Sequence, residues 1–343
     1  MTLAVAIVGA GRMGKAHAGN LAGIPEARIV GVADVVRDAA EALAAGSGAA
    51  AFDDYREMLA RLKPDLVYFC TPASDHAEQI AYAAEQGVNI FVEKPLATTV
   101  NEAKAAVDAV ERHGVLCTVG YQWRYSPTTN AAREALGDLP ITLLGGWWYW
   151  TIPLIEWIKD KRLGGGQIFD QSTHVLDLMR FLAGDVTSIY AAYTRNAIPE
   201  ADLPNWDAYA LTLRFAQGAV GSLHSTYALF PKIPNSNALD VVARELLVRV
   251  NLARTVVFRR DQAPVETPAV AGWNIDQTII PIIARNDAAA IRATARQSML
   301  SLAVTLAANY SAETGKIVDL TEFVANPPTD VTIMPDARPA FVR

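Results

Sequence analysis

Three short stretches of this chain carry side chains whose types and spacing could do chemistry. The first is Gly9-Ala10-Gly11-Arg12-Met13-Gly14, which fits G-x-G-x-x-G. Glycines at these positions permit a tight turn and let a backbone approach a pyrophosphate. The free N–H groups and positive dipole end of a following helix then hold the anion. Asp34 stands about 20 residues beyond the last glycine, where a carboxylate accepts hydrogen bonds from an adenosine ribose diol. Gly9, Gly11, Arg12, Met13, Gly14 and Asp34 are therefore expected to bind a dinucleotide. Asp34 repels a 2′-phosphate and is followed by Val35 and Val36 rather than arginine, which favours NAD over NADP; Arg37 keeps NADP open.

The second stretch is Glu93-Lys94-Pro95, and the third runs from Gly164 through Asp170 and His174 to Asp177. Lys94 ends an apolar run, at the sheet edge where α/β proteins bind ligands. It reads as a proton donor or acceptor for a substrate oxygen, or as an ordinary loop lysine. Asp170 and His174 are four apart, so a helix would set them on one face with Asp177 on the same side. Histidine is the proton shuttle near neutral pH. Taken singly, Asp170 also reads as a helix cap and His174 as a core histidine.

The elements that must position these residues fall into two groups. Over residues 1–121, apolar runs (Ala4–Val8, Arg28–Ala33, Leu66–Cys70, Asn89–Val92, Val115–Val119) alternate with helical patterns (Lys15–Gly23, Arg37–Ala45, Tyr55–Leu62, Asp75–Gln86, Val100–His113), and Gly87 and Gly114 stand just past two helix ends. Continuous apolar strands separated by helices signal a parallel sheet covered on both faces. Over 122–343 the strands become consecutive: Ser188–Tyr193, Ala208–Phe215, Ala219–Tyr227, Ala238–Val242, Leu246–Val250 and Thr255–Arg260, with a hairpin turning at Gln217–Gly218. That pattern predicts a second, α+β domain with a mostly antiparallel sheet. The uncharged segment Leu139 to Ile155 is expected to be a strand leading into a loop, and Asp287 to Asn309 a helix.

Composition narrows the function. Lysine plus arginine number 30 against 36 acidic residues, a net charge of −6, and the pI is about 5.5, against a nucleic-acid binder. Hydrophobic residues make up 51%, enough for a large core. No stretch reaches the roughly 20 apolar residues of a membrane span. The N-terminus lacks a signal-peptide pattern. Cys70 and Cys117 cannot form a disulfide framework, which fits a reducing, cytoplasmic setting. The five histidines, His17, His76, His113, His174 and His224, form no metal-ligand spacing, so no metal is expected.

GAGRMG, the CTP turn at 70–72, EKPLA, and D-x-x-x-H behind a glycine-rich loop together resemble the Gfo/Idh/MocA oxidoreductases, clearest over 4–125 and 160–180 and again at Ala307–Leu320. The resemblance implies a Rossmann domain, a C-terminal domain with a large open sheet that often makes the oligomer interface, and a C-terminal segment packing back between them. It implies a held nicotinamide cofactor, a catalytic Lys94 before a cis Pro95, and Asp170 and His174 beside Lys94 at the substrate carbinol. It sets Thr71, Pro72 and His76 on the nicotinamide side, Glu93 near its ribose, and Gln122 and Arg124 near the cofactor and the domain junction. The chain departs from the common D-x-G-x-H in carrying Ser172 for the glycine, which is expected to crowd the pocket. Its aromatic run Trp147–Trp150 and Trp157 offer faces suited to sugar rings, which makes Tyr149 and Trp157 candidate substrate contacts; strand alternation accounts for part of that run.

The resulting expectation is hydride transfer between nicotinamide and a hydroxyl-bearing carbon of a sugar, cyclic polyol or diol. Lys94 and His174 would handle the proton, with Asp170 orienting. A non-catalytic NAD(H)-binding regulator and NAD-assisted glycoside cleavage remain open. An apolar sheet face left by the second domain implies a homodimer or homotetramer.

Overall fold

A computed structural model describes residues 2–328 of the chain. The contacts divide it into two units. The first comprises residues 1–122 and 272–299, the second 123–271 with the segment from 300 onward. The chain therefore changes unit three times.

The first unit begins β1 (Leu3–Val8), α1 (Arg12–Leu21), β2 (Ala27–Ala33), α2 (Arg37–Ala45), β3 (Ala50–Phe52) and α3 (Tyr55–Leu62). It continues β4 (Leu66–Phe69), α4 (Ala73–Glu85), β5 (Asn89–Val92), α5 (Val100–His113) and β6 (Cys117–Val119). The six strands are parallel in the order β3-β2-β1-β4-β5-β6. This is the doubly wound dinucleotide-binding topology, in which the strand order reverses beside β1. β4 is buried at every position and β1 at all but one, as a sheet covered on both faces requires. The helices carry their own stop and start signals. Thr99 and Glu102 close a capping box on α5, and Gly114 ends it in the left-handed region at φ 67°. Gly87 takes φ 72° just past α4.

The expected division at residue 121 is too simple on one side. The segment 272–299, assigned from sequence to the second domain, folds with the first unit. Its backbone joins the sheet end through Val119 N–H to Ala293 O (2.9 Å) and a bridge between Thr118 and Thr294. It also buries Asp276 against His17. The helix expected over Asp287 to Asn309 instead spans Ala295–Thr314, with a separate helix at Asp276–Ala284. Asp287 caps a short 3-10 turn and does not start the long helix.

The second unit opens with α6 (Pro127–Leu136) and β7 (Ile141–Tyr149), the strand expected within Leu139 to Ile155. There follow β8 (Val186–Thr194), β9 (Ala208–Phe215), β10 (Val220–Thr226), β11 (Asn237–Ala243), β12 (Leu246–Val250), β13 (Arg254–Arg259), β14 (Val265–Pro268) and β15 (Val318–Asp319). They form one nine-stranded sheet ordered β14-β13-β12-β11-β7-β10-β9-β8-β15. Every neighbouring pair is antiparallel except β7 and β10. The β9–β10 hairpin turns through Gly218 at φ 93°. The helix Thr173–Ala183 lies flush on this sheet: a Cβ on Gly146 would sit 2.6 Å from Val175 Cγ1 and 2.7 Å from Met179 Cε. The last residues of the C-terminal segment, from 329 on, lie outside the described residues. No helix among the described residues is long and apolar enough to cross a membrane.

Candidate active site

In the first unit the cofactor cradle is built from backbone. Gly9 takes φ 95°, and a Cβ there would lie 2.7 Å from Cys70 O. A Cβ on Gly14 would lie 1.9 Å from Gly9 O. These two positions admit only glycine, because the turn folds back on β4 and on itself. Gly11, by contrast, is exposed with nothing within 4 Å of a Cβ. It caps α1 without a side-chain hydrogen bond, and no acidic residue occupies the first turn. An uncapped helix start beside open space is what a pyrophosphate needs. Arg12 is exposed and Met13 half-buried at the same turn. The chain's own residues thus fit a dinucleotide here.

Asp34 ends β2 as expected. Its Oδ2 accepts from Ala10 N–H at 2.7 Å and its Oδ1 from Val36 N–H at 2.8 Å. Each oxygen keeps a lone pair for a ribose hydroxyl. Val35 is 88% exposed, and Arg37 pairs with Glu41 at 2.8 Å. No cation therefore stands next to Asp34 along the chain to hold a 2′-phosphate.

Beyond β5, Lys94 sits before a cis peptide to Pro95. Its N–H donates to Glu93 Oε2 at 3.2 Å. Thr71 donates through Oγ1 to Gln79 Oε1 (2.6 Å), and Pro72 caps α4. His76 is not an open wall for a nicotinamide: it is 1% exposed, with Nδ1 2.8 Å from Pro95 O and Nε2 3.0 Å from Thr71 O. Burial lowers its pKa against the pull of the two carbonyls. The ring ties the turn after β4 to the turn after β5, which places Lys94 next to the strand ends that carry the cradle.

Sequence reasoning missed two members of this unit. His17 is 3% exposed, with Nδ1 2.9 Å from both oxygens of Asp276 and Nε2 3.0 Å from Glu93 Oε1. Burial disfavours its charge, but the hydrogen bonds to Asp276 and Glu93 outweigh burial and raise its pKa to about 9. The only local signal was a histidine one helical turn past Gly14.

In the second unit, Gly165 (φ 73°) and Gly166 (φ 85°) turn the chain into a one-turn helix, Gln167–Asp170. Asn309 holds that loop by donating to Gly165 O at 2.8 Å. The shared helical face expected for Asp170, His174 and Asp177 does not exist. The chain breaks at Gln171 and Ser172, and the helix carrying His174 and Asp177 starts at Thr173. Ser172 does not crowd a pocket. It adopts ordinary helical angles and turns its hydroxyl inward, 2.7 Å from Tyr209 Oη and 2.5 Å from Ser225 Oγ. Asp170 is half-buried; burial first, then the Asp170 charge, push the Tyr227 phenol well above its ordinary pKa. His174 is 9% exposed and stacks on Trp148, ring centroids 6.1 Å apart.

Strand alternation sorts the aromatic run. Trp148 turns toward His174 and Trp123, whereas Trp147 faces outward under Arg249 (5.5 Å) and Tyr149 is half-buried at the strand end. The side chain of Trp157 lies outside the described residues. Gln122 is half-buried and opens a 3-10 turn. Arg124 is a core ion-pair member: it is 1% exposed, donates to both oxygens of Asp177 (2.7 and 2.6 Å) and lies over Phe181.

Comparison with known proteins fits this geometry. The model described as "Oxidoreductase family, NAD-binding Rossmann fold" matches residues 3–121, and the "GFO/IDH/MocA C-terminal domain" model matches 121–242. Inositol 2-dehydrogenase of Rhizobium meliloti (strain 1021) is 32% identical over 262 residues, 71% of this chain and 76% of that protein. The scyllo-inositol 2-dehydrogenase (NAD(+)) of Bacillus subtilis (strain 168) is 37% identical over 191 residues, 54% of this chain and 55% of that protein. The chain thus spans little more than half the length of one curated relative and about three quarters of the other. Among solved structures, the WlbA dehydrogenase from Bordetella pertussis, in complex with NADH and UDP-GlcNAcA, superposes with a TM-score of 0.77 at 25% identity, covering 93% of this chain and 99% of that one.

Proposed function

The chain belongs to the Gfo/Idh/MocA oxidoreductases, and on that footing we propose that it is an NAD-dependent dehydrogenase acting on a hydroxyl-bearing carbon of a sugar or cyclic polyol. One observation carries the reading: Lys94 stands at the carboxyl end of the parallel sheet, backbone-clamped, on the turn that His76 joins to the one after β4. The chemistry that a bound nicotinamide supplies is hydride exchange at its ring. The protein's part is to hold the substrate and manage the hydroxyl proton. Lys94 takes or returns that proton, His174 shares the work, and Asp170 orients through its charge. Thr71 and the glycine turn hold the cofactor, while the two oxygens of Glu93 are engaged by His17 and by the Lys94 N–H. Trp148, stacked on His174, offers aromatic surface to a ring, whereas Tyr149 shares the outward face of β7 with Leu143 and Trp147 and leaves the substrate side. The two inositol dehydrogenase relatives support the substrate class.

The test is a screen of inositols, sugars, sugar acids and aromatic dihydrodiols with NAD, followed by reduced-cofactor absorbance. Net NADH formation from one class supports the reading. Substrate cleavage without net NADH points to redox-assisted glycoside cleavage, and NADH binding with no turnover points to a regulator.

The assembly we propose is a closed dimer or tetramer through the outward face of the nine-stranded sheet. Leu143, Val220 and Tyr190 share that face and are 46%, 44% and 43% exposed. Light scattering that gives a monomer at micromolar concentration overturns it. Two free cysteines, one buried and one half-buried, support a reducing, cytoplasmic setting.

A further inference from the structure

Helix α1 starts at the glycine turn and presents His17 from its second turn to the end of β5. The imidazole lies between two carboxylates. Asp276 meets Nδ1 with both oxygens at 2.9 Å, and Glu93 meets Nε2 at 3.0 Å. Asp276 is fully buried and also accepts from Asn20 Nδ2 at 2.8 Å. The rings of Tyr68 and Phe91 wall the imidazole, their centroids 5.1 and 4.9 Å from its own. The remaining oxygen of Glu93 accepts the Lys94 N–H. Behind Glu93 the chain passes so close that a Cβ on Gly120 would lie 3.1 Å from both carboxylate oxygens.

A continuous path of hydrogen bonds therefore runs Asp276, His17, Glu93, Lys94. It joins the helix of the cofactor turn, the lysine turn and the returning segment 272–299. Buried ion networks are poor devices for stability alone, because desolvation offsets most of the attraction. What this one supplies is a fixed position: the Glu93 carboxylate cannot rotate without breaking contact with His17 or with the Lys94 backbone.

We infer that His17 and Asp276 are positioning residues for Lys94, acting through Glu93. The inference rests on the reading of Lys94 as the group that handles the substrate proton. Loss of the clamp lets the lysine turn shift, and a displacement of about 1 Å at a reacting group can cost on the order of 10²-fold in rate.

The test uses the full chain with His17→Gln and Asp276→Asn, the second conserving size in case the first folds poorly. Three quantities are read. The first is the rate at which sulfosuccinimidyl acetate acetylates Lys94 relative to the exposed Lys15 and Lys63, by mass spectrometry. The second is NADH affinity, by fluorescence. The third is kcat and KM with whichever polyol the wild type oxidises. The relative labelling of Lys94 is expected to change about threefold or more in both variants, with kcat down about 10–100-fold and NADH affinity within about threefold. The double variant should cost no more than the worse single one, because the groups act in series. Lys94 labelling that does not move overturns the inference, whatever the thermal midpoint does. NADH affinity that falls in step with kcat also overturns it, since the network would then serve the glycine turn. If the wild type turns over no substrate, the dehydrogenase reading fails, while Lys94 labelling still decides the positioning.

Discussion

Asp34 and Ala10 are joined by a 2.7 Å hydrogen bond from the Ala10 N–H to Oδ2, so the carboxylate that ends β2 is tied to the backbone of the glycine turn. The carboxylate is thereby held at the cradle whether or not a ribose is present. Asp34→Ala should weaken NAD binding and leave NADP binding unchanged or improved, because it removes both the diol acceptor and the repulsion against a 2′-phosphate. Fluorescence titration of NADH and NADPH against wild type and variant checks this. A wild type that prefers NADPH would falsify the role given to Asp34.

Lys94→Ala and His174→Ala should each lower kcat by about 10²–10⁴-fold, the usual contribution of a general acid or base, while NADH affinity stays nearly intact. Turnover, NADH affinity and thermal midpoint are measured together. Near-normal kcat per folded molecule in either variant removes that residue from the proton path.

His17 makes stability depend on pH. Its folded pKa, about 9, lies above the ordinary 6.5, held there by Asp276 and Glu93 against burial. The folded state therefore keeps a proton that the unfolded chain releases. The stabilisation is fully present below about pH 6.5 and is lost as pH rises through about 9, on the order of a few kcal/mol in all. Thermal midpoints from about pH 6 to pH 10 should fall more steeply for wild type than for His17→Gln. Parallel curves would show that the imidazole is not charged in the folded protein.

Breaking the Arg124–Asp177 pair should destabilise the second unit without reaching the cofactor. Removing one partner of a buried ion pair strands the other charge and costs about 3–5 kcal/mol. Arg124→Leu is expected to lower the thermal midpoint sharply, with NADH affinity unchanged well below that midpoint. A selective loss of NADH affinity would instead restore Arg124 to the cofactor.

What was legible in the sequence is what is local. The strand–glycine–helix signal at residues 9–14, the carboxylate at the end of β2 and the lysine at the end of β5 each announce themselves within one turn of chain. The parallel and antiparallel sheets followed from alternating against consecutive apolar runs. Spacing alone failed at Asp170 and His174, because two residues four apart share a face only if the helix is unbroken, and here one helix ends at Asp170 and the next starts at Thr173. Arg124 and Asp177 were both noticed singly, but nothing in sequence says that residues 53 apart neutralise each other. His17 and Asp276 are 259 apart, and no periodicity reaches that far.

The three crossings of the chain between units impose an order on biosynthesis. When the ribosome has released residues 1–122, the parallel sheet has all six strands, yet the Nδ1 of His17 still lacks the Asp276 carboxylate that will meet it. That segment emerges only after β14, so most of the second unit's sheet is available to fold before the first unit is closed. The nascent dinucleotide domain must wait, open along one flank, for its last piece. A gene fragment cut at the apparent boundary would encode the six-stranded sheet without Asp276, leaving the His17 imidazole with Glu93 as its one carboxylate partner of the two.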